Sequence, residues 1–516
     1  MMKTNNFFQS LRSAVLLVMA AGTIAGCSND DAPDFLTIET LSQSGGKDFT
    51  LPLEGGEQTI AFKASGNWTV TTDNQDWYTV APANGKGDAT ITITAEPFDA
   101  YSAPSFSRIA QITIACGSLS EQLSVMQSDP SASEDPVSST IKSRARGGEM
   151  TVEIPVALAY SVVVDDTWLT ASADAGVLTL NLTQNTGSED RKTVVKVMSG
   201  NGENEIASVG ITQSWRNVEP GELLIEEIYF TGTPLPSTGK TNTKNKDQYF
   251  LITNNTDELL YADGLLIIES KNPNAGSTWK EFKEPIIDEY CEAGVVMCIP
   301  GSGTDNPLEP GESLVIASNG LNYKEGYTGT SGTTVEMNPN GLDLSKADYE
   351  WYTKSTNSTI DIDIPEVPNI DIWFSYTLSI LVLHDRGFQS YAIAMPPATM
   401  TMEKFLEDYN WAGAEYINHT LAGDFEQTLS LAYKVPNKWI IDAVMCTVPS
   451  VNQTRQFSTT LDAGWTYASP QNIDMDAQRY GYSVQRKRDA ETGKLIDTNN
   501  STNDFIPNAT PSLRGK

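Results

Sequence analysis

Histidine is almost missing: the 516 residues contain two, His384 and His419. That is too few for a histidine-rich metal site or for most histidine-dependent triads. Basic side chains are also scarce, with 34 Lys and Arg against 66 Asp and Glu, for a net charge of −32. A surface that negative repels phosphate backbones, which excludes nucleic acid as a partner. The body of the chain has no apolar run of about 18 residues, so it holds no membrane-crossing helix. Cysteine is sparse: Cys27, Cys116, Cys291, Cys298 and Cys446. Their spacing matches no zinc site, and neither a metal nor a cofactor is expected. In an oxidising compartment the four cysteines after Cys27 permit a disulfide, for which Cys291 and Cys298 are the closest pair in sequence. Cys116, on an alternating run, and Cys446, after Ala443-Val444-Met445, read instead as small buried thiols.

At the start of the chain, Lys3 and Arg12 are followed by the apolar run Ala14 to Ala21 and then by Ile24-Ala25-Gly26-Cys27. Charge, apolar stretch and small residues in that order make residues 1–26 a targeting segment. The residues ahead of Cys27 resemble a bacterial lipobox, which implies acylation of Cys27 and a membrane partner held through lipid. Ser28-Asn29-Asp30-Asp31 resembles the export signal of Bacteroidetes surface lipoproteins. It implies an outer-membrane lipoprotein facing the exterior, with residues 27–34 as a linker.

Residues 35–128 and 129–215 read as two copies of one pattern. The first has Gly55-Gly56, Trp68, Trp77, the alternating Thr90 to Thr94, Arg108, and a last strand ending in Gln127. The second has Gly147-Gly148, Tyr160, Trp168, Val177 to Leu182, Arg191, and a last strand ending in Gln213. A period of two, broken by turns, predicts a β-sandwich of about seven strands in each. The order of features resembles the Bacteroidetes-associated carbohydrate-binding often N-terminal domain, BACON. Its name implies glycan binding. The three tryptophans nevertheless read as core, and both modules as spacers between membrane and terminal domain.

From residue 216 the texture changes. Leu223 to Tyr229, Tyr249 to Asn255, the turn at Pro310-Gly311, Trp439 to Val444 and the late Asp497-Thr498-Asn499-Asn500-Ser501 again mark strands and turns. This series resembles the lamin-tail domain, and more closely an uncharacterised family of Bacteroidetes lipoprotein domains. The whole chain is thus expected to be all-β: two small immunoglobulin-like β-sandwiches followed by a larger, elaborated lamin-tail-like sandwich over 216–516. Residues 270–300 and 320–435 have no counterpart in a minimal lamin tail, and recognition is expected in these insertions. Trp351, Tyr352 and Trp411 are the candidate glycan-stacking rings. Met402 to Tyr409 has helical spacing. Asp361 and Asp363 alternate along a run that reads as a strand with a solvated face.

No nucleophile elbow is present, and neither histidine has a recognisable partner in sequence. The expected class is a non-catalytic envelope lipoprotein whose C-terminal domain binds polysaccharide or a surface protein. The alternative is a structural or adhesive component without a glycan ligand. The joints at 129–136 and 215–221 are expected to be open to proteases.

Overall fold

The structure, a computed structural model, describes residues 34–514 apart from 43–44, 130–131, 133–134, 243, 272–278, 330–331, 355–359, 449–453 and 471–476. Cys27 and the targeting segment lie outside the described residues, as does half of the joint at 129–136. The protein is all-β, as the periodicity predicts. Helix among the described residues amounts to Met402–Asp408, Ser501–Asp504 and short 3-10 turns. The chain forms two compact units, one of residues up to 134 with 157–159, the other of 135–156 with 160–516.

In the first unit nine strands are described, two more than expected, in sheets of four and five. Alternation places Ile60, Phe62, Ile91, Ile93, Ile112, Ile114, Leu123 and Val125 between them. Trp68 is buried there, edge-on to Phe62 at 5.1 Å. The Gly-Gly strand start has a steric cause. A Cβ on Gly55, at φ +84, would stand 2.6 Å from the carbonyl oxygen of Ala95; one on Gly147 of the second module, at φ +68, would stand 2.4 Å from that of Leu182.

The second module has seven described strands in sheets of four and three. The two modules share one polar clasp. Arg108 lies 4.4 Å over the Trp77 ring and donates through Nε to Gln127 Oε1 at 2.9 Å. Arg191 lies 4.4 Å over the Trp168 ring and donates through Nε to Gln213 Oε1 at 2.8 Å. Each glutamine amide then donates to backbone carbonyls, Pro52 at 2.6 Å in the first module and Thr183 at 2.9 Å in the second. The arginine and the closing glutamine therefore lock the strand ends together beneath a tryptophan. With a guanidinium on one face, and apolar neighbours packed against them, Trp77 and Trp168 serve packing.

The C-terminal region is a sandwich of two large sheets. One orders Tyr349–Glu350, Ser313–Ala317, Tyr249–Asn254, Leu223–Tyr229, Ser483–Arg486 and Phe505–Ala509. The other orders Asp371–Ser375, Tyr290–Cys298, Leu266–Ser270, Tyr391–Ala394 and Ile440–Val444, with Tyr433–Pro436 also paired to Tyr290–Cys298. Between them pack Ile228, Phe250, Ile267, Val295, Met297, Tyr391 and Ile393. The second sheet is buried on its outer face too, under Trp215, Phe405, Tyr433 and Trp439. Burial on both faces explains its continuous apolar runs, such as Gly294 to Met297. The helix forms at Met402–Asp408, capped by the Thr401 hydroxyl, which accepts from the Lys404 amide. Phe405 fills the core beneath it.

One buried cation stitches the two sheets. Arg486 donates through Nη2 to both oxygens of Asp442, at 2.7 and 2.6 Å, and through Nε to the Ile225 carbonyl at 2.9 Å. Asp442 in turn accepts the Ile225 amide at 2.7 Å. Asp497 lies within 3.4 Å of the same guanidinium.

The second module is not a detached spacer. Trp215 leaves its last strand and enters the outer core of the second sheet, 5% exposed. Arg216 lies 4.2 Å over that ring and donates to the Lys438 carbonyl. Arg144 pairs with Glu222 at 2.5 Å and with Glu258 at 3.0 Å, while Lys438 reaches back to Glu189 at 3.0 Å. The joint at 215–221, expected to be open, is therefore packed: Val218 has no exposure at all.

Candidate functional site

A three-stranded ribbon projects from the second sheet. It consists of Trp279–Phe282, Glu415–Thr420 and Gly423–Thr428, the first paired to the second with Trp279 opposite His419. Phe282, Tyr416 and Trp411 pack beneath it. Between the outer edge of Trp279–Phe282 and the body lies a cleft of about 260 Å³, lined by Trp279, Phe282, Ile286, Ile287, Tyr290 and Glu292 among others. Ser270 and Arg455 also line it.

The ribbon holds Trp279 from one side. His419 stacks on the indole at 3.8 Å, with 17° between the ring planes. Its own nitrogens meet Asp424 at 2.9 Å and Glu281 at 3.1 Å. Burial works against the charged imidazole, but the hydrogen bonds to the two carboxylates outweigh it and raise its pKa. With one indole face covered by His419, Trp279 borders the cleft with the rest of its ring.

At the inner wall is a buried acid. Glu292 is 8% exposed, and among the described residues neither of its carboxylate oxygens has a hydrogen-bond donor. Lys280 Nζ stands 3.8 Å from Glu292 Oε1, an ion-pair distance too long for a hydrogen bond. Burial raises the pKa of Glu292, against the opposing charges of Lys280 and Lys271. Apolar walls with a few convergent polar groups are the usual form of a ligand pocket, and an undonated buried carboxylate needs a reason.

Comparisons with known proteins bear on the chain in three segments. Residues 66–128 and 159–214 match the BACON family, described as "Putative binding domain, N-terminal". Residues 309–512 match DUF4876, described as "Protein of unknown function". Matches to BACON and to DUF4876 thus fall on separate segments of the chain. Among solved structures, a DUF4876 family protein from Bacteroides thetaiotaomicron is 16% identical, with 91% of this chain and 96% of that chain covered and a TM-score of 0.43. A Bacteroides ovatus GH5 xyloglucanase in complex with a XXXG heptasaccharide is 22% identical over 20% of this chain and 22% of that one, with a TM-score of 0.16. No curated protein matches the chain.

The three rings expected to stack on sugar lie in the DUF4876 region, and the structure does not assemble them into a platform. Trp351 is 1% exposed, packs edge-on to Phe250 at 5.8 Å and donates its indole N–H to the Leu381 carbonyl at 3.1 Å. It is a core residue, which corrects its assignment as a binding residue. Tyr352 is half-buried and stands apart from the cleft lining. Trp411 is half-buried and meets Phe282 at 4.6 Å, so it supports the cleft wall from behind. Asp361 is a second correction. Residues 360–364 form no strand, and its carboxylate is buried, accepting the Thr353 amide at 2.8 Å and the Ile362 amide at 2.9 Å. Cys291 and Cys298 sit on one extended strand, Tyr290–Cys298, which holds them too far apart for a disulfide; both are free and buried. His384 is a packed ring against Phe388 at 5.1 Å, and burial lowers its pKa to about 4.

The cleft itself was reachable from the sequence only in part. Its walls at 279–292 fall in the insertion at 270–300, where recognition was expected, and mostly precede the DUF4876 match. A local signal was present: Glu292 is the one charged residue in the otherwise apolar run Cys291 to Met297.

Proposed function

We propose that this protein is a non-catalytic lipoprotein of the cell envelope, acylated at Cys27 and facing the exterior, that binds glycan through the cleft beside Trp279. The observation that carries the binding reading is the cleft itself. Trp279, held on one face by His419, lines the same cleft as a buried carboxylate that no hydrogen-bond donor among the described residues satisfies. Sugars present an apolar C–H face for aromatic stacking and hydroxyls for carboxylates, so both halves of the cleft suit them. The BACON matches support a binding role in general terms. The second module, packed on the C-terminal region, acts as a rigid base for it, leaving the first module as the spacer.

Anchoring and binding are tested separately. The wild-type protein should take up a fatty-acid analogue, and Cys27→Ala should remain unlabelled; an unlabelled wild type would refute the anchor. On a glycan array the full-length protein should bind neutral polysaccharides. Trp279→Ala should cut that signal at least tenfold, while Trp77→Ala leaves it unchanged. Loss on Trp77→Ala alone would move recognition to the first module.

A further inference from the structure

The polar arrangement in the cleft narrows the ligand, given that the cleft is the glycan site. We infer that it takes a single uncharged sugar ring, with one hydroxyl bridging Lys280 and Glu292. The gap between those two groups is the reason. At 3.8 Å they are too far apart to share a proton in a hydrogen bond, yet both are largely buried. A hydroxyl between them donates to Glu292 and accepts from Lys280, completing both at once. Its neighbour on the ring is then placed to meet the second carboxylate oxygen, which also lacks a donor among the described residues.

Charge excludes the other sugar classes. A uronic or sulfated ring that put its anion at the bridging position would meet the Glu292 carboxylate in place of a donor, with Glu281 near it, and Lys280 alone would face it there. An amino sugar would bring a cation to a carboxylate already faced by Lys280 and, close by, by Lys271. A neutral donor avoids both conflicts. Size sets the rest: about 260 Å³ is below the roughly 300–1,000 Å³ of drug-sized pockets. One ring, terminal or on a branch, fills that space. Ser270 and Arg455 border the same space, but Arg455 is held by the carbonyls of Phe457 and Asp462.

The test is saturation-transfer NMR on the full-length protein with methyl glycosides of glucose, galactose and mannose, beside methyl glucuronide and methyl glucosaminide. At least one neutral glycoside should receive saturation at its ring C–H protons, and the charged pair should receive little. Glu292→Gln and Trp279→Phe should each weaken that neutral glycoside roughly tenfold, because a charge-assisted bond or half the stacking area is lost. Each variant should still melt cooperatively, so that lost binding is not lost fold; if Glu292→Gln does not fold, Lys280→Gln reports on the same bridge. Neutral binding that survives Trp279→Phe and the bridge variant that folds would overturn the cleft assignment while glycan binding stands. Preference for the glucuronide or the glucosaminide would overturn the neutral class alone. Failure of every glycoside, together with a blank glycan array, would overturn both this inference and the glycan reading. Binding on the array without any response from the glycosides would overturn the single-ring inference only.

Discussion

Arg486→Met should destabilise the C-terminal region by about 3–5 kcal/mol, the usual consequence of stranding one member of a buried ion pair. The side chain is only 1% exposed, and that of Asp442 2%. Without the guanidinium, Asp442 keeps its bond from the Ile225 amide but loses both hydrogen bonds from Arg486 Nη2. Asp497 loses its cation as well. The carbonyl of Ile225 is left without its side-chain donor, so the strand Leu223–Tyr229 loosens from Ser483–Arg486. Chemical denaturation of the full-length protein measures the change. Adding Asp442→Leu to Arg486→Met should recover a large part of it, because the uncompensated charge is then gone. A double variant no more stable than the single one would show that the guanidinium acts by packing, through its 4.6 Å stack on Phe505.

Trp215→Ala should cost a similar amount, about 3–5 kcal/mol, by emptying a large buried site. Its second effect is more informative. The ring joins the second module to the outer core of the C-terminal sheet, alongside Trp439 and Ile440. Limited proteolysis of the wild type should spare residues 215–221, where Val218 and Trp215 are buried. In the variant the same segment should become a preferred cleavage point. A wild-type protein cut there as readily as the variant would mean that the module is hinged. For the same reason a fragment beginning at residue 216 removes the cover from part of its own core, and residues 135–516 form the natural unit.

Much of the architecture was legible in the chain because its causes are local. The Gly-Gly starts read correctly since only glycine tolerates the positive φ and the carbonyl contact. The arginine and terminal glutamine of each module recur because one clasp recurs. In the C-terminal region the elements behind the lamin-tail resemblance, the Ile-Asp strand and the late Asp-Thr-Asn-Asn-Ser, meet at Arg486. The binding residues were harder to read because their causes are distant in sequence. Trp279, Glu292 and Arg455 come together only when the ribbon folds back on the sheet. Trp351 misled for the opposite reason: its neighbours Tyr352, Thr353 and Lys354 are polar, yet its ring points into the core. Trp215 sits in a polar joint, Gln213 to Pro220, and nothing local discloses the apolar sheet that it covers.

The most direct test of the binding site is hydroxyl-radical footprinting of the full-length protein with and without a neutral polysaccharide that it retains. Binding should protect Trp279, Phe282 and Tyr290, which line the cleft. Trp465, 37% exposed and outside the lining of the cleft, should react equally in both samples. Protection at Trp465, or at Trp77 and Trp168, with the three cleft residues unchanged, would place recognition elsewhere and contradict the account.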